Sequence, residues 1–392
     1  MHGLAPPSRA TIGDRAAIDV GLFLTGLAGE AETAARLGLH PAELRELFDG
    51  SALSRCTMMP VGVGDNLDIR FLDMAGEAFD APTFDDSVGR ARSRAGGRRT
   101  FSLPANAIAA AEAPRATPDG IILHVGRCGS TLLCNLLASG GDWIALREPE
   151  CLNSLFLARA ATRDPAAIDR IDTLAGQLAG CLAHAVRPRK SLVKLSSWTA
   201  PLAAPLLARF PGTPVIVVVR DPWQTVASFL AEPPHWYGPA SAQLAASERA
   251  GAVRFFAEAW RSTVAAARCL PGERIMFVDY EDIVGNPAAT LAKLRSHLGD
   301  DGPPLAPAAL EATLASYSKA ASAEAFDPSG KHRRAVLAPD LAEIVTAVTA
   351  GESLGCRCRE AGQAFVEEMA RSAACPGRPR PDESGEGRSH RL

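Results

Sequence analysis

The sequence predicts an α/β protein in which a central parallel sheet carries helices on both faces, behind a smaller, mostly helical N-terminal region. Three observations carry that expectation. From residue 119 onward, short unbroken runs of Val, Ile and Leu alternate with helix-length segments. Unbroken apolar runs mark strands buried on both faces, as parallel strands are beneath crossover helices. Two Gly/Pro/Arg-rich stretches, residues 93–99 and 113–120, punctuate the chain and place a boundary near residue 115. Before that boundary, helical spacing dominates and one run alternates. The expected division is 1–115 as an N-terminal region of unassigned role, 116–371 as the α/β domain and 372–392 as a disordered tail.

The elements follow in order. Residues 30–37 and 41–48 read as two short amphipathic helices around Gly38, and Pro41 suits a first helical position. Their wording, AETAARLGLHPAELRELF, loosely resembles a helix-turn-helix, but ordinary helical hairpins share that pattern. Leu67, Ile69 and Phe71 alternate with Asp68 and Arg70, as in a strand. The first buried strand is expected at 120–126, followed by a small-residue turn and an apolar helix at 130–138. Further strands are expected at 142–146, 191–195, 213–219 and 274–278. In such sheets, ligands sit at the carboxyl ends of the strands.

Composition narrows the function. The 392 residues are 47% hydrophobic and 22% charged, which is enough for a full core. Forty-one Lys and Arg against 44 Asp and Glu give a formal charge of -3. That excludes a strongly basic nucleic-acid binder as a description of the whole chain and leaves room for a local basic pocket. No apolar run is long enough to span a membrane, and no basic-then-apolar secretory signal is visible. The nine cysteines contain no CxxC pair, so reduced thiols in a cytoplasm are expected. Cys356 and Cys358 form a lone CxC, read as free thiols rather than a metal site.

Two constellations carry chemistry. The first is HVGRCGSTLL, residues 124–133. Gly126 and Gly129 let the backbone turn tightly after a strand. Amides opening the next helix, with Ser130 and Thr131, make an anion cradle, and Arg127 adds a full charge. The GxxxxGK[ST] spacing of a Walker loop is absent. The second is VIVVVRDPWQTVASF, residues 215–229. Arg220 ends a buried strand, Asp221-Pro222 opens a helix, and Ser228 lies two turns into it, on a face that looks back toward the strand end. An arginine and a hydroxyl there can hold a second phosphate; alternatively, Arg220 is ion-paired to Asp221 or a neighbour.

These motifs resemble the sulfotransferase family. HVGRCGSTLL is similar to its loop for the 5′-phosphosulfate of 3′-phosphoadenosine-5′-phosphosulfate, and VVVRDPWQTVAS to its 3′-phosphate motif. FVDYEDIVGNP, residues 277–287, is similar to the strand and turn that follow. The wording is nearest to bacterial sulfotransferase-like proteins. The resemblance spans residues 119 to about 335. It implies a P-loop NTPase-like fold, that donor as co-substrate, no metal, and transfer of a sulfuryl group to a hydroxyl or amine. It assigns donor contacts to Arg127, Cys128, Gly129, Ser130, Thr131, Arg220 and Ser228. SGKHRR, residues 329–334, resembles the basic loop over the nucleotide, adding Lys331 and Arg333.

The sequence departs from the family at one point. Where animal cytosolic members have Lys-x-His, this chain has Lys194-Leu195-Ser196, so the histidine base is absent. Other branches place a glutamate soon after the first helix. Glu148 then stands as the catalytic base with Glu150 in reserve, Lys194 faces the sulfuryl oxygens, and Arg147 is expected to depress the pKa of Glu148. Both glutamates also fit plain solvated loop charges. The group 235–237 reads as a packed loop more than an acceptor pocket, and Trp143 and Trp198 as core. Acceptors left open are small molecules, glycans, lipids or peptides; no nucleic-acid partner is expected, and a homodimer is not excluded. Two alternatives stand: a nucleotide-dependent kinase or hydrolase, or a non-catalytic nucleotide- or DNA-binding module.

Overall fold

The N-terminal region opens with three helices, Arg9–Leu24, Glu30–Leu37 and Pro41–Leu47. Three strands follow: β1 (Met58–Val63), β2 (Asp68–Asp73) and β3 (Thr100–Pro104), paired antiparallel in that order, with helix Phe84–Arg92 between the last two. β2 is the alternating run of the sequence. β1 and β3 add a small sheet to a region that reads as helical. β1 spells MMPVGV, and its proline and glycine disguise it as a loop. The ladder accommodates them by a register shift between Pro60 and Gly62. Helix Phe84–Arg92 starts on a reciprocal cap, in which the Thr83 hydroxyl accepts from the Asp86 amide and Asp86 accepts from the Thr83 amide. The structure is a computed structural model describing residues 9–47, 57–64, 68–94, 99–111, 114, 116–234, 237, 246–316 and 337–350. The tail at 372–392, Cys356, Cys358, Lys331, Arg333, His235 and Trp236 lie outside the described residues.

The second sheet has five strands: β4 (Gly120–His124), β5 (Trp143–Arg147), β6 (Lys190–Lys194), β7 (Val215–Val219) and β8 (Ile275–Asp279). Their spatial order is β5-β6-β4-β7-β8, and every neighbouring pair is parallel. All five begin within a residue or two of the sequence expectation. β4 and β5 are buried at every position, because helices cover both faces. The chain runs from central β4 out to β5 and β6 on one side, then crosses to β7 and β8 on the other. That reversal opens a crevice at the carboxyl end of β4 and β7, where loops are free to receive a ligand.

The two regions share one apolar cluster. Leu22, Met59, Phe71 and Phe84 from the N-terminal region belong to it together with Leu155, Leu178 and Val193 from the domain behind. The chain near residue 115 is packed rather than free. A Cβ at Gly180 would stand 2.1 Å from Pro114 Cβ, and Gln177 Nε2 donates to Ala111 O at 3.0 Å. Arg147 clamps the same junction. The residue is 2% exposed, and its guanidinium donates to the carbonyls of Phe79 and Ala81 and to Asn135 Oδ1. Each large side chain buried in this cluster contributes roughly 1.5–3 kcal/mol, so removing residues 1–115 uncovers a substantial core face. Trp143 and Trp198 are core, as expected, at 3% and 5% exposure. The longest described helices give no segment apolar enough to cross a membrane.

Candidate active site

The turn after β4 is bent by residues in the left-handed region. Gly126 and Gly129 have φ of 79° and 74°, and Arg127 between them has φ of 50°. Side chains at the two glycines would collide with Phe229 (2.3 Å) and Tyr280 (2.8 Å) respectively. Glycine is therefore needed at both places for shape as well as for φ. Helix Ser130–Ala138 starts on Gly129 with no side-chain cap. Its first amides stand beside the buried hydroxyls of Ser130 and Thr131, with the Ser130 amide and hydroxyl also meeting the Cys128 thiol, and a helix start of this kind suits an anion. Cys128 is fully buried; desolvation raises its thiol pKa, against hydrogen bonds to the thiol from Ser130 and Val125 that tie the turn together.

Arg220, just past the end of β7, ties the two motifs together. Its Nη1 donates to Arg127 O at 3.0 Å, its Nε donates to Gln224 Oε1 at 3.1 Å, and its guanidinium lies 4.3 Å above the Tyr280 ring. The alternative pairing with Asp221 does not form; that carboxylate caps its own helix through the Gln224 amide at 2.9 Å. Ser228 is half-buried two turns along the same helix, Pro222–Ala231. Arg127 is engaged elsewhere. Its guanidinium pairs with the Glu232 carboxylate at 2.9 Å, donates to the Glu232 carbonyl and lies 6.0 Å from the Phe229 ring.

Glu148 sits in the turn after β5 with φ of 57°, uncommon for a residue with a side chain. Its amide donates to Lys194 O at 2.7 Å, which extends the β5–β6 ladder and fixes the turn. Lys194 Nζ, in a side chain 2% exposed, donates to Glu148 Oε1. Ser196 Oγ donates to Oε2 at 3.4 Å, and His124 Nε2 stands 3.5 Å from Oε1. Burial pushes the Glu148 pKa up. The Lys194 ammonium and the His124 hydrogen bond outweigh it and hold the carboxyl well below the ordinary range. Arg147 is not the cause expected from its position in sequence, since its guanidinium is turned toward the N-terminal junction. Adjacent residues leaving a strand point to opposite faces, and sequence neighbourhood misled here. Glu150 opens helix Glu150–Ala161 and is exposed, bonded by Ser154 Oγ at 3.0 Å. Asp85, from the N-terminal region, is pushed up to about 7 by desolvation and then by Glu150, Asp86 and Glu148, although its surface remains exposed.

The site thus gathers the turn 126–131, Arg220, Lys194 and Glu148 around the carboxyl ends of β4, β5, β6 and β7. Two participants have no role in the sequence reading. His124 was visible as the one polar side chain ending an apolar strand before a glycine turn. Tyr280 lies inside the third motif, but its place under Arg220 comes from packing β8 beside β7. The group 235–237 contributes one described residue, Tyr237, whose ring packs at a tilt against Phe255 and Phe256 as a packed loop would.

Residues 120–301 match the model of a sulfotransferase family. No curated protein sequence matches the chain. Among solved structures, the fold superposes on the sulfotransferase domain from the curacin biosynthetic pathway with a TM-score of 0.37, at 18% identity, covering 64% of this chain and 98% of that one. It also superposes on the sulfotransferase STF9 from Mycobacterium avium with a TM-score of 0.39, at 14% identity, covering 88% and 97%. A mouse sulfotransferase, SULT7A1, solved with PAP, gives 0.39 at 15% identity, covering 62% and 88%.

Proposed function

We propose that the chain, whose residues 120–301 match the model of a sulfotransferase family, transfers a sulfuryl group from 3′-phosphoadenosine-5′-phosphosulfate to a hydroxyl or amine. One observation carries this reading. Two cationic anion sites on adjacent strand ends, joined by the Arg220–Arg127 contact, stand beside a carboxylate paired to a buried lysine. The amides of Gly129, Ser130 and Thr131 receive the 5′-phosphate. Arg220 and Ser228 receive the 3′-phosphate. Lys331 and Arg333 are assigned to the nucleotide by resemblance alone.

The chemistry is in-line displacement at sulfur. The acceptor oxygen or nitrogen forms the new bond to sulfur. The bond from sulfur to the 5′-phosphate oxygen breaks, and that oxygen leaves with the electron pair. The acceptor proton passes to the Glu148 carboxylate. Charge that grows on the leaving oxygen is met by Arg127 and the turn amides. Arg127 must first release Glu232, whose side chain is 67% exposed, so the exchange costs about 1 kcal/mol or less. Lys194 lowers the basicity of Glu148 while paired to it. Its turning toward the sulfuryl oxygens would restore that basicity and order the reaction with the donor first. No step in this scheme calls on a metal ion. A reducing compartment accompanies the proposal; Cys128, Cys134 and Cys151 are free thiols.

Calorimetry tests the reading. Adenosine 3′,5′-bisphosphate is expected to bind well, and ATP with magnesium poorly. Arg220→Ala is expected to weaken the bisphosphate by ~2–4 kcal/mol and to leave little discrimination against a ligand lacking the 3′-phosphate. Equal losses for ligands with and without that phosphate would overturn the assignment. Labelled sulfuryl donor incubated with a lysate then identifies the acceptor.

A further inference from the structure

His124 ends β4, the strand that leads into the donor turn, and is 5% exposed. Its Nδ1 accepts the Gly126 amide proton at 3.1 Å. An accepting Nδ1 carries no proton of its own, so in the neutral ring the proton lies on Nε2. That Nε2 stands 3.5 Å from Glu148 Oε1, the same oxygen that takes the Lys194 ammonium. The donor turn therefore sets the tautomer of His124, and that tautomer leaves an N–H on the nitrogen 3.5 Å from Glu148 Oε1, at the outer limit of a hydrogen bond.

The two donors on Oε1 differ in charge. Lys194 brings a full positive charge and depresses basicity, whereas a neutral imidazole N–H orients a carboxylate with a smaller effect on its basicity. His124 cannot itself take the acceptor proton through Nδ1 without losing the Gly126 contact, because that lone pair is in use. We propose that His124 is a positioning residue for the base: it holds Glu148 in place from the donor turn when Lys194 leaves for the sulfuryl group. The inference rests on the assignment of Glu148 as base. It adds a link from the bend at Gly126 to the carboxylate, with Ser196 Oγ steadying the other oxygen at 3.4 Å.

Two measurements test it. Nitrogen-15 NMR of histidine-labelled, nucleotide-free protein reads the tautomer, with His124→Asn assigning the signal. At neutral pH we expect a proton on Nε2 and a bare Nδ1; an Nδ1–H tautomer or an imidazolium overturns the proposal. The second measurement is release of labelled sulfate from 3′-phosphoadenosine-5′-phosphosulfate with water as acceptor. His124→Asn keeps an acceptor for the Gly126 amide but cannot reach Glu148. It is expected to lose at least tenfold in turnover with bisphosphate affinity within about threefold of wild type. His124→Gln returns an N–H near the Nε2 position and is expected to recover to within about fivefold of wild type. Wild-type turnover in the Asn variant, or no recovery in a folded Gln variant, overturns the proposal. If His124→Gln fails to fold, the tautomer and the Asn variant still decide. A wild-type protein that releases no sulfate, or a fully active Glu148→Gln, would instead sink the reading on which the inference rests.

Discussion

Strands β5 and β6 end in a carboxylate cluster at each edge of the sheet, and the two clusters are built differently. At the amino edge, Asp300 accepts from Trp143 Nε1 at 2.9 Å, Lys190 Nζ at 3.0 Å, Arg295 Nε at 2.9 Å and the Gly302 amide at 3.3 Å. Both oxygens are well served and the side chain is 4% exposed. At the carboxyl edge, Glu148 is 28% exposed. Its backbone is held at positive φ, and among the described residues its Oε2 has a single hydrogen bond, from Ser196 at 3.4 Å. Both carboxyls lie below their ordinary pKa. Asp300 is first pushed up by burial and then pulled down further by its hydrogen bonds. Glu148 is pulled down chiefly by one lysine that can be drawn away. A saturated cluster on relaxed backbone stabilises; a strained, partly open one with a movable partner is suited to chemistry.

The sharpest break of this comparison is Glu148→Gln. It keeps shape and removes basicity, so turnover is expected to fall about 10²–10⁴-fold with bisphosphate affinity nearly unchanged. Glu150→Gln should do much less. Single-turnover assays decide: a fast Glu148→Gln, or a crippled Glu150→Gln, shows that the chemistry lies elsewhere.

Asp300→Asn should behave in the opposite way. It leaves Lys190 and Arg295 without their carboxylate and is expected to cost about 2–4 kcal/mol of stability, while the folded fraction turns over normally. The same residue predicts acid behaviour. A carboxyl whose folded pKa is depressed contributes stability that is fully present above its unfolded value, near 4, and is lost as pH falls toward the folded value. Denaturation midpoints measured between about pH 5 and pH 2 should therefore drop less steeply in Asp300→Asn than in wild type. Parallel slopes would remove Asp300 from the stabilising role.

The smallest expected effect concerns Arg127. Its partner Glu232 is largely exposed, so Glu232→Gln, which removes the ion pair and leaves the contact to the Glu232 carbonyl, should loosen the guanidinium at little cost and tighten bisphosphate binding by no more than about 1 kcal/mol. Weaker binding in that variant would show that Glu232 positions Arg127 rather than competing for it.

Much of this was legible from residue order. The five parallel strands announced themselves because burial on both faces demands unbroken apolar runs such as Val215–Val219. The turn at 126–131 and Arg220 were legible because a bend that needs glycine and a cation closing an apolar strand are each written in a few consecutive residues. β1 was not, because Pro60 and Gly62 look like a loop unless the register shift against β2 is known. Nor was the direction of Arg147, which is set by carbonyls 68 and 66 residues away.

The sheet, the turn and the identity of the charged groups follow from local spacing along the chain. Which of those groups face one another follows from packing. It put Arg147 into the N-terminal junction, Arg127 onto Glu232, Arg220 over Tyr280, and both Lys194 and His124 onto one oxygen of Glu148. The reason is distance in the chain. β5 and β6 pair although Lys194 lies 46 positions after Glu148, and β4 joins them with His124 24 positions before Glu148. A parallel sheet brings such ends together only through its crossovers, and no local pattern in the sequence encodes which side chains then meet.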